Sequence, residues 1–494
     1  MPTHLIEILD RFPNHKVVLV GDLMLDRYIF GSTERVSPEA PVPIIHFHRE
    51  EYRLGGAGFV MANLATLGAQ VHMIGVIGPD DAGTTVRQHL AQYTTANISL
   101  IESPHRPTVL KVRMLGSSQD RTPHQMLRLD IESNQPLDDS IAGQIIAATE
   151  RALDDGAELL CLEDYNKGVL SPAVTQRLIQ LARRKNIPVI IDPANIPDYT
   201  KYKGATALKL NRPEGERATG LPLRSPEHYE PAADALLEKL DLQAVIITLN
   251  ELGSYLATRG GEHKWIQTRP RQVADGTGAG DTLLAMLSMA HVAGADWPDA
   301  VALGNIAAGL EVEKLGCVPI TRDEITQDLL AEAHQHLGKL RTLKALIPEL
   351  QRHRAMGRKI VFTNGCFDLI HLGHVKYFQF AKAQGDLLVV GVNTDCSIRR
   401  LKGDKRPIIS EDDRTQVLEE LESIDYLIKF DEDTPLNLIE TIKPDVLVKG
   451  ADYTRDKVVG ADFVENQGGT IALAPLIDGR STSNVIQRIL QAYK

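Results

Sequence analysis

The stretch KIVFTNGCFDLIHLGHVKYFQF, residues 359–380, decides the fold of the C-terminal part of this chain. Residues 359–363 are mostly apolar and β-branched, which is typical of a short buried strand, and Asn364-Gly365 interrupts that run. Apolar residues then recur at helical spacing further along the stretch. The stretch therefore predicts a strand, a turn and a helix, the unit from which α/β domains are built.

Two histidines, His371 and His374, lie three residues apart at the predicted start of this helix, so their rings project from one face. Gly373 between them lets a ligand approach the backbone, and free amides at a helix start bind anions. Two other interpretations are a zinc-binding pair and two surface histidines. Zinc needs a third or fourth ligand, and none follows at the expected spacing. The pattern therefore favours a phosphate-binding site.

The segment GCFDLIHLGH resembles the signature of the cytidylyltransferase-like nucleotidyltransferases, in which H-x-G-H binds a nucleoside triphosphate. By this resemblance His371 and His374 would be catalytic residues of a nucleotidyl transfer. A sugar-1-phosphate oxygen would attack the α-phosphate and pyrophosphate would leave, without a protein nucleophile. The residues expected to bind the nucleotide are Asn364, Gly365, Phe367, Gly373, Lys402, Lys449, Ser481, Thr482 and Ser483.

Lys402 and the residues Ser481 to Ser483 lie in two polar segments that are expected to bind phosphates. Lys402 lies in residues 399–407, interpreted as a basic loop that closes over a triphosphate or, alternatively, as a solvated basic loop. Ser481 to Ser483 lie in DGRSTSN, whose hydroxyls and amides would open a helix over residues 485–492 and contact a second phosphate. Further strands are expected at residues 387–392, 426–430, 446–448 and 470–473, and a helix from Glu411.

The composition of the whole chain limits its class. A length of 494 residues predicts two to four domains, and 43% hydrophobic with 24% charged residues is ordinary for a globular protein. The net charge of −11, without a basic tract, argues against a nucleic-acid partner. The widely spaced cysteines argue against a disulfide framework or a cysteine-rich metal site. With no signal-peptide pattern and no long apolar run, we expect a cytoplasmic protein without a membrane partner.

Residues 16–320 alternate apolar runs with amphipathic stretches, which predicts a largely parallel sheet covered by helices. Most of the predicted strands end in polar or glycine-bearing turns. Because ligands of such sheets bind beyond the carboxyl ends of the strands, these turns are expected to line one cleft. A Pro-rich, sheet-like insertion at residues 29–48 is interpreted as a lid. The clearest strands are predicted at residues 17–20, 71–77, 159–162, 189–191, 207–210 and 245–248.

The stretch DGTGAGD, residues 275–281, is the strongest chemical signal of this half. The amides of Gly278, Ala279 and Gly280 at a helix start form a nest for an anion, which stabilises charge on a transferring phosphoryl group. Asp281 is placed to take the proton of an attacking hydroxyl. A glycine-rich turn capped by an aspartate is the alternative. A dinucleotide site is excluded because the glycine spacing is wrong, and no P-loop is present.

Other stretches of this half are weaker signals. In GDLMLDRY, Asp22 and Asp26 suit sugar hydroxyls and Arg27 suits a phosphate, or they form a surface ion pair. The tandem glycines of GGAG, residues 55–58, let either a ligand or a neighbouring helix come close. NRPE, residues 211–214, offers an amide and a carboxylate for hydrated magnesium near nucleotide phosphates, or is only a turn.

In this order, GDLMLDRY, GGAG followed by NLATLG, NRPE and DGTGAGD resemble the ribokinase (carbohydrate kinase) family over residues 10–320. The resemblance implies that Asp281 is the base and that residues 278–280 form the anion hole. It implies magnesium as cofactor, with Glu214 as the metal-site residue. The expected ATP-binding residues are Asn211, Arg212, Pro213, Glu214, Thr248 and Gly253. The expected sugar-binding residues are Asp22, Asp26, Arg27, Gly55, Gly56, Asn63 and Lys167.

This chain departs from the nearest branch of that family at two positions, with Phe59 where Asn is usual and Ala194 where Lys is usual. A shifted or looser preference among sugar phosphates is therefore expected. A degenerate kinase half that only senses sugar phosphate and regulates the transferase is the alternative function.

The expected fold class is α/β, a ribokinase-like three-layer domain followed by a Rossmann-like nucleotidyltransferase domain. We place the domains at residues 1–325 and 356–494, with a helical linker at residues 326–355. The two halves in this order resemble the bifunctional enzymes of ADP-heptose synthesis. That resemblance implies a kinase that phosphorylates O1 of a heptose 7-phosphate and an adenylyltransferase that acts on heptose 1-phosphate. The expected partners are ATP, sugar phosphates and a second copy of the chain in a homo-dimer.

Overall fold

The computed structural model describes residues 2–117, 124–451 and 453–475, together with residues 486, 491 and 492. The chain divides into two compact units, Met1–Leu330 and Ala331–Lys494. The division falls inside the segment that the sequence predicts as a helical linker.

The first unit is built on a nine-stranded sheet with the strand order β13-β12-β11-β10-β9-β8-β1-β4-β5. All six strands predicted from the sequence lie in this sheet, and they pair in parallel. The strands of the first unit are β1 (Lys16–Gly21), β2 (Leu23–Val36), β3 (Pro43–Gly56), β4 (Gln70–Ile77), β5 (Asn97–Glu102), β6 (Val109–Ser117), β7 (His124–Ile131), β8 (Leu159–Glu163), β9 (Val189–Asp192), β10 (Ala207–Asn211), β11 (Ala244–Thr248), β12 (Ser254–Thr258) and β13 (His263–Ile266).

Helices cover both faces of this sheet, because its strands are apolar on both sides. In β1, Val17 and Leu19 pack into one core, while Val18 and Val20 pack into the other. The helices are α1 (Pro2–Asp10), α2 (Ala57–Thr66), α3 (Asp81–Leu90), α4 (Asp139–Asp154), α5 (Pro172–Arg184), α6 (Arg212–Thr219), α7 (Tyr229–Leu240), α8 (Ala279–Val292) and α9 (Trp297–Glu311), and α10 (Arg322–Leu337) crosses the boundary between the units. This is the predicted three-layer α/β domain.

A separate four-stranded sheet has the order β3-β2-β6-β7. The sequence predicts a sheet-like insertion only at residues 29–48, whereas the two strands of that hairpin extend over Leu23–Val36 and Pro43–Gly56. The extension arises because the motif residues on either side of the insertion pair with each other, Leu23 with Gly56 and Asp26 with Arg53. The role of this sheet as a lid stays a prediction.

The second unit has a five-stranded parallel sheet with the order β16-β15-β14-β17-β18. Its strands are β14 (Ile360–Gly365), β15 (Leu387–Asn393), β16 (Tyr426–Phe430), β17 (Val446–Gly450) and β18 (Thr470–Ala474). Its helices are α11 (Leu343–Ala355), α12 (Leu372–Lys382), α13 (Asp395–Lys402), α14 (Glu411–Glu419), α15 (Leu436–Ile442) and α16 (Ala461–Asn466). Leu346 and Leu350 of α11 pack into the core of this unit, as their helical spacing predicts.

Two predictions for this unit are wrong in detail. Asn364-Gly365 does not end the first strand, because both residues still pair with β15. The basic segment is not a loop throughout, because Arg399, Arg400 and Lys402 lie in α13. Basic residues in the last turn of a helix complement its dipole, which explains why this segment is helical. None of the helices in the described part of the chain is long and apolar enough to cross a membrane.

Candidate active sites

A buried cluster of carboxyl groups lies at the carboxyl ends of β8 and β9. Glu163 and Asp192 are register partners there, and their carboxylate oxygens and those of Asp281 come within 4.8 Å of one another. Lys209 of β10, only 3% exposed, forms a buried ion pair with Asp192. Burial, together with the charges of Asp192 and Asp281, raises the pKa of Glu163 well above its usual range. Lys209 supplies a positive charge within this cluster of carboxyl groups.

Asp281 lies at the edge of the glycine turn, as the sequence predicts. It is in the first turn of α8, whose N-cap residue Gly278 has a φ of 104°. A Cβ atom at Gly280 would lie 2.8 Å from Nζ of Lys209, so a side chain there would displace the ammonium group. Burial raises the pKa of Asp281 to about 7. The Tyr165 hydroxyl donates a hydrogen bond to Oδ1 of Asp281 at 2.8 Å, and this bond partly offsets the rise. The amides of the glycine turn, the Lys209 ammonium group and a carboxyl group with a pKa close to 7 therefore lie together.

A further carboxyl group, Glu311, lies directly behind the glycine turn. It is 0% exposed, and neither of its carboxyl oxygens has a hydrogen-bond partner among the described residues. A Cβ atom at Gly278 would lie 2.9 Å from Oε1 of Glu311 and 2.6 Å from the Phe59 ring. Burial raises the pKa of Glu311 to about 9, with Asp281 and Asp275 adding to the rise. Glu311 is therefore neutral at pH 7 and does not repel an anion in the turn.

Replacing Glu311 by glutamine is expected to stabilise the first unit at pH 8. The folded protein binds a proton at Glu311 up to a pKa of about 9, whereas the unfolded chain releases it near 4.5, so stability falls as pH rises between these values. The gain should be on the order of 2–4 kcal/mol at pH 8 and small at pH 5. Both tryptophans, Trp265 and Trp297, lie in this unit, so urea unfolding followed by their fluorescence measures it.

Glu313→Gln is the matched control for this experiment. Glu313 is two residues away, but its side chain is 40% exposed and pairs with Arg271. Its replacement should change the free energy of unfolding by less than about 0.5 kcal/mol. Equal pH dependence in the wild type and in Glu311→Gln would show that Glu311 is not held protonated.

Asn211 and Glu214 bind each other at the start of α6. Oδ1 of Asn211 accepts a hydrogen bond from the amide of Glu214 at 2.9 Å, and the Glu214 carboxylate accepts from N and Nδ2 of Asn211 at 2.7 and 2.8 Å. Burial and the charge of Asp192 raise the pKa of Glu214 to about 7. Arg212 and Pro213 begin the helix that this capping box closes. The carboxylate oxygens of Glu214 and the amide oxygen of Asn211 are of the ligand type that magnesium prefers, so these residues fit a magnesium site.

Two other predicted ATP-binding residues lie at the end of the neighbouring strand. Thr248 ends β11 and donates a hydrogen bond from Oγ1 to the carbonyl of Leu210 at 3.3 Å. Gly253 follows in the turn with a φ of 90°. Thr248 lies opposite Asn211 in the sheet register, so the predicted ATP-binding residues do share one edge of the sheet.

The predicted sugar-binding residues are mostly engaged within the protein. Asp22 is buried, and its carboxylate accepts hydrogen bonds from the amides of Tyr165 and Lys167 at 2.9 and 3.0 Å. Asp26 pairs with Arg113 at 3.0 Å. Arg27 pairs with Glu50 at 2.6 Å on the four-stranded sheet, and not with Asp22 or Asp26 as in the ion pair that the sequence left open. Lys167 pairs with Glu132 at 2.6 Å.

The glycine motif packs the protein backbone closely. A Cβ atom at Gly55 would lie 2.5 Å from the Asp26 carboxylate, and Gly56 has a φ of 52°. Asn63 donates to the carbonyl of Phe59 and to Thr282, and accepts from the amide of Ile320, so its sugar-binding role stays a prediction.

The two positions that depart from the kinase family are both buried. Phe59 is 1% exposed in a small core with Ala62 and Cys317. Ala194 is 3% exposed, and the structure shows no function for its small side chain.

Sequence reasoning missed several residues of the kinase site. Lys209 could have been found, because it lies inside an apolar strand and a buried lysine needs a charged partner or a functional role. Glu163 and Asp192 directly follow two predicted strands, in turns that the sequence predicts to line the cleft, but no role was assigned to either residue. Tyr165 and Lys111 gave no signal, because their approach to Asp281 depends on how the loop and the four-stranded sheet fold back.

In the second unit, His371 is the N-cap residue of α12 and His374 lies in its first turn. Their rings stack with centroids 4.0 Å apart. Nδ1 of His371 accepts a hydrogen bond from the amide of Gly373 at 3.1 Å, and Nδ1 of His374 accepts from the amide of His371 at 3.4 Å. We assign Nε2–H to both rings from these bonds. Burial, His371 and Lys402 lower the pKa of His374 to about 4, so His374 is a neutral hydrogen-bond donor.

The turn before α12 contains a residue in the left-handed backbone conformation. Phe367 has a φ of 46°, and its ring packs on His374 and Phe378. A Cβ atom at Gly365 would lie 2.9 Å from that ring, so a larger residue there would displace the ring. Asp368 accepts hydrogen bonds from the amides of Ile408 and Ile409 at 2.8 and 3.0 Å and pairs with Arg406. The basic segment is therefore anchored beside the histidine pair.

Arg414, which no sequence pattern singled out, joins the strand ends around this site. Its side chain is fully buried. It donates to the carbonyls of Cys366, Asn393 and Ile409 and to the Asp395 carboxylate. These acceptors lie after β14, at the end of β15, before α14 and in α13, so one guanidinium group fixes four segments.

Lys449 lies at the end of β17 and donates a hydrogen bond to Oδ1 of Asn364, so two predicted nucleotide-binding residues are in contact. Gly373 is in the first turn of α12, and Lys402 ends α13. The predicted contacts of Ser481, Thr482 and Ser483 and most of the predicted helix over residues 485–492 lie outside the described residues.

Two family matches show that this chain is a carbohydrate kinase joined to a nucleotidyltransferase. Residues 14–323 match the pfkB family carbohydrate kinases, and residues 362–472 match the cytidylyltransferase-like family. The fold of the first unit is similar to Arabidopsis thaliana ribokinase complexed with ribose and ATP, with a TM-score of 0.51 and 22% identity over 64% of this chain and 99% of that chain. It is also similar to Escherichia coli phosphofructokinase-2 in complex with substrates and products, with a TM-score of 0.54 and 17% identity over the same shares.

Relatives of full length join both halves in one chain. The chain is 45% identical to the bifunctional protein HldE of Geobacter sulfurreducens over 96% of each chain. It is 44% identical to the bifunctional protein HldE of Syntrophotalea carbinolica, over 100% of this chain and 99% of that relative. The chain therefore belongs to the bifunctional HldE family. None of these matches favours a kinase half that only binds and regulates.

Proposed function

We propose that the first unit transfers the γ-phosphoryl group of ATP to O1 of D-glycero-β-D-manno-heptose 7-phosphate. The second unit then transfers AMP from ATP to heptose 1-phosphate, giving ADP-heptose and pyrophosphate, after a separate phosphatase has removed the 7-phosphate. The observation that carries this proposal is the full-length match to bifunctional HldE relatives, with both sites present in one chain.

In the proposed kinase reaction, Asp281 accepts the proton of the O1 hydroxyl as the O1–P bond forms and the bond from the γ-phosphorus to the bridging oxygen of ADP breaks. The amides of residues 278–280 and the ammonium group of Lys209 stabilise the charge on the transferred group. The support for this is the contact of Lys209 with Gly280 and the pKa of Asp281 near neutrality. The ATP phosphates would lie near Asn211 and Glu214.

In the proposed transfer of AMP, a phosphate oxygen of heptose 1-phosphate attacks the α-phosphorus and the bond to pyrophosphate breaks. The Nε2–H groups of His371 and His374 donate hydrogen bonds to the phosphates, and Lys402 and Lys449 add positive charge. The neutral state of His374 supports this role, because a buried neutral imidazole donates one hydrogen bond in a fixed direction.

We further propose that magnesium is the cofactor of both reactions, with Glu214 holding it in the kinase half. Removal of divalent cations with EDTA should abolish both activities, and magnesium should restore them, because the cation neutralises the phosphates that react. A zinc-selective chelator should have no effect on either. Activity that survives EDTA, or that needs stoichiometric zinc, would contradict this assignment.

We also propose that the chain forms a homo-dimer and acts in the cytoplasm.

The substrate proposal is tested by kcat/KM for heptose 7-phosphate against hexose and other heptose phosphates. We expect the heptose 7-phosphate to be preferred. A hexose phosphate used more efficiently than any heptose phosphate would contradict the proposed substrate.

A further inference from the structure

One contact to Asp281 comes from a loop that the proposed chemistry does not use. The hydroxyl of Tyr165, just after β8, donates a hydrogen bond to Oδ1 of Asp281 at 2.8 Å. Oδ2 accepts no hydrogen bond from any residue that the structure describes. A tyrosine hydroxyl has a single proton to donate, so this bond fixes one carboxylate oxygen and leaves the other for an incoming ligand.

The loop that carries Tyr165 is itself held in place. The carboxylate of Asp22 accepts hydrogen bonds from the amides of Tyr165, Lys167 and Val169 at 2.9, 3.0 and 3.3 Å. Nζ of Lys111, on the four-stranded sheet, lies 5.2 Å from the Tyr165 ring centroid. The position of the hydroxyl is therefore set by the backbone on one side and by a cation over the ring on the other.

We propose that Tyr165 is the positioning residue of the kinase base: it holds Oδ1 of Asp281 so that Oδ2 faces the attacking hydroxyl. This inference rests on the proposed role of Asp281. Tyr165 neither gives nor takes a proton in the reaction. The hydroxyl proton of the sugar moves to Oδ2 of Asp281, the sugar oxygen binds the γ-phosphorus, and ADP leaves with the electrons of the broken bond.

The same hydrogen bond affects the titration of Asp281. Burial raises the pKa of Asp281, and the bond from Tyr165 lowers it. Burial and the charge of Asp281 raise the pKa of Tyr165 well above its usual range, so the hydroxyl remains a donor. The other charged or titratable groups around Asp281 are Glu163 on β8, Asp192 on β9, Lys209 on β10, Lys111 on β6, Glu311 on α9 and Cys317.

Tyr165→Phe tests the proposal, because it removes the hydroxyl and keeps the ring. We expect kinase kcat to fall roughly 10- to 100-fold with little change in KM for ATP. We also expect the acidic limb of kcat/KM to move to higher pH, because Asp281 loses the bond that favours its ionised form. ADP-sugar formation by the same preparation should be unchanged.

Tyr199→Phe is the matched control. Tyr199 is buried in the same unit, and its hydroxyl has no hydrogen-bond partner among the described residues. It should leave kcat and the pH profile as in the wild type. If Asp281→Asn abolishes kinase activity but Tyr165→Phe leaves kcat and the acidic limb unchanged, the positioning role is wrong and the base assignment stands. A fall in kcat without a shift of the acidic limb of kcat/KM would mean that Tyr165 has only a structural role, and the positioning role would be wrong. Full activity of Asp281→Asn would overturn both.

Discussion

Asp281→Asn is expected to lower kinase kcat by roughly 10²–10⁴-fold while ADP-sugar formation continues at the wild-type rate. Asparagine fills the same space and still accepts a hydrogen bond from Tyr165, but it does not accept the proton of the attacking hydroxyl. The nucleotidyltransferase site lies in the other compact unit and shares no residue with this one. The measurement is turnover of each half-reaction, assayed separately on one preparation of the full chain.

Asp139→Asn is a suitable control for this variant, because Asp139 lies exposed in the first turn of α4. It should leave both activities unchanged. Loss of both reactions in Asp281→Asn would mean that the two halves do not work as separate sites. Retention of kinase activity would mean that another group takes the proton and that Asp281 is not the base.

His374→Ala should have the reciprocal effect, lowering ADP-sugar formation by roughly 10²–10³-fold and sparing the kinase. The alanine variant lacks an Nε2–H donor to the phosphates. It also lacks the ring that packs between His371 and Phe367, so the remaining histidine loses its stacking partner. The rate of pyrophosphate release from ATP with heptose 1-phosphate measures the effect.

The conservative variant His374→Gln distinguishes the loss of the hydrogen-bond donor from the loss of the imidazole ring. Its side-chain amide places an N–H close to the position of Nε2, so we expect it to keep more activity than alanine. Equal activity of the alanine variant and the wild type would remove His374 from the site. A proportional loss of kinase activity in His374→Ala would again contradict the independence of the two halves.

The sequence predicted the elements that depend on local pattern. Apolar runs gave all six central strands of the first sheet, because a strand buried on both faces needs apolar residues throughout. The proximity of His371 and His374 was predicted from their spacing of three residues, and their ring centroids lie 4.0 Å apart, although His371 is the N-cap residue and not part of the helix. In both cases the deciding residues are neighbours in the chain.

Features that depend on distant segments were not predictable in this way. The hydrogen bond from Tyr165 to Asp281 joins residues 116 positions apart. Arg414 reaches acceptors in four segments. Asp22 was expected to face a sugar, but its carboxylate accepts the amides of a loop whose path the sequence does not specify. The helical start of the basic segment was missed because charge alone was read as a loop signal.

The two proposed reactions can be followed together by ³¹P NMR of the products that the full chain makes with ATP and magnesium. With heptose 7-phosphate we expect a second phosphate signal at the anomeric position and ADP. With heptose 1-phosphate we expect the paired signals of a sugar diphosphate linked to adenosine, together with pyrophosphate. ATP hydrolysis without a phosphorylated sugar in the first reaction, or an absence of pyrophosphate in the second, would contradict the proposed function.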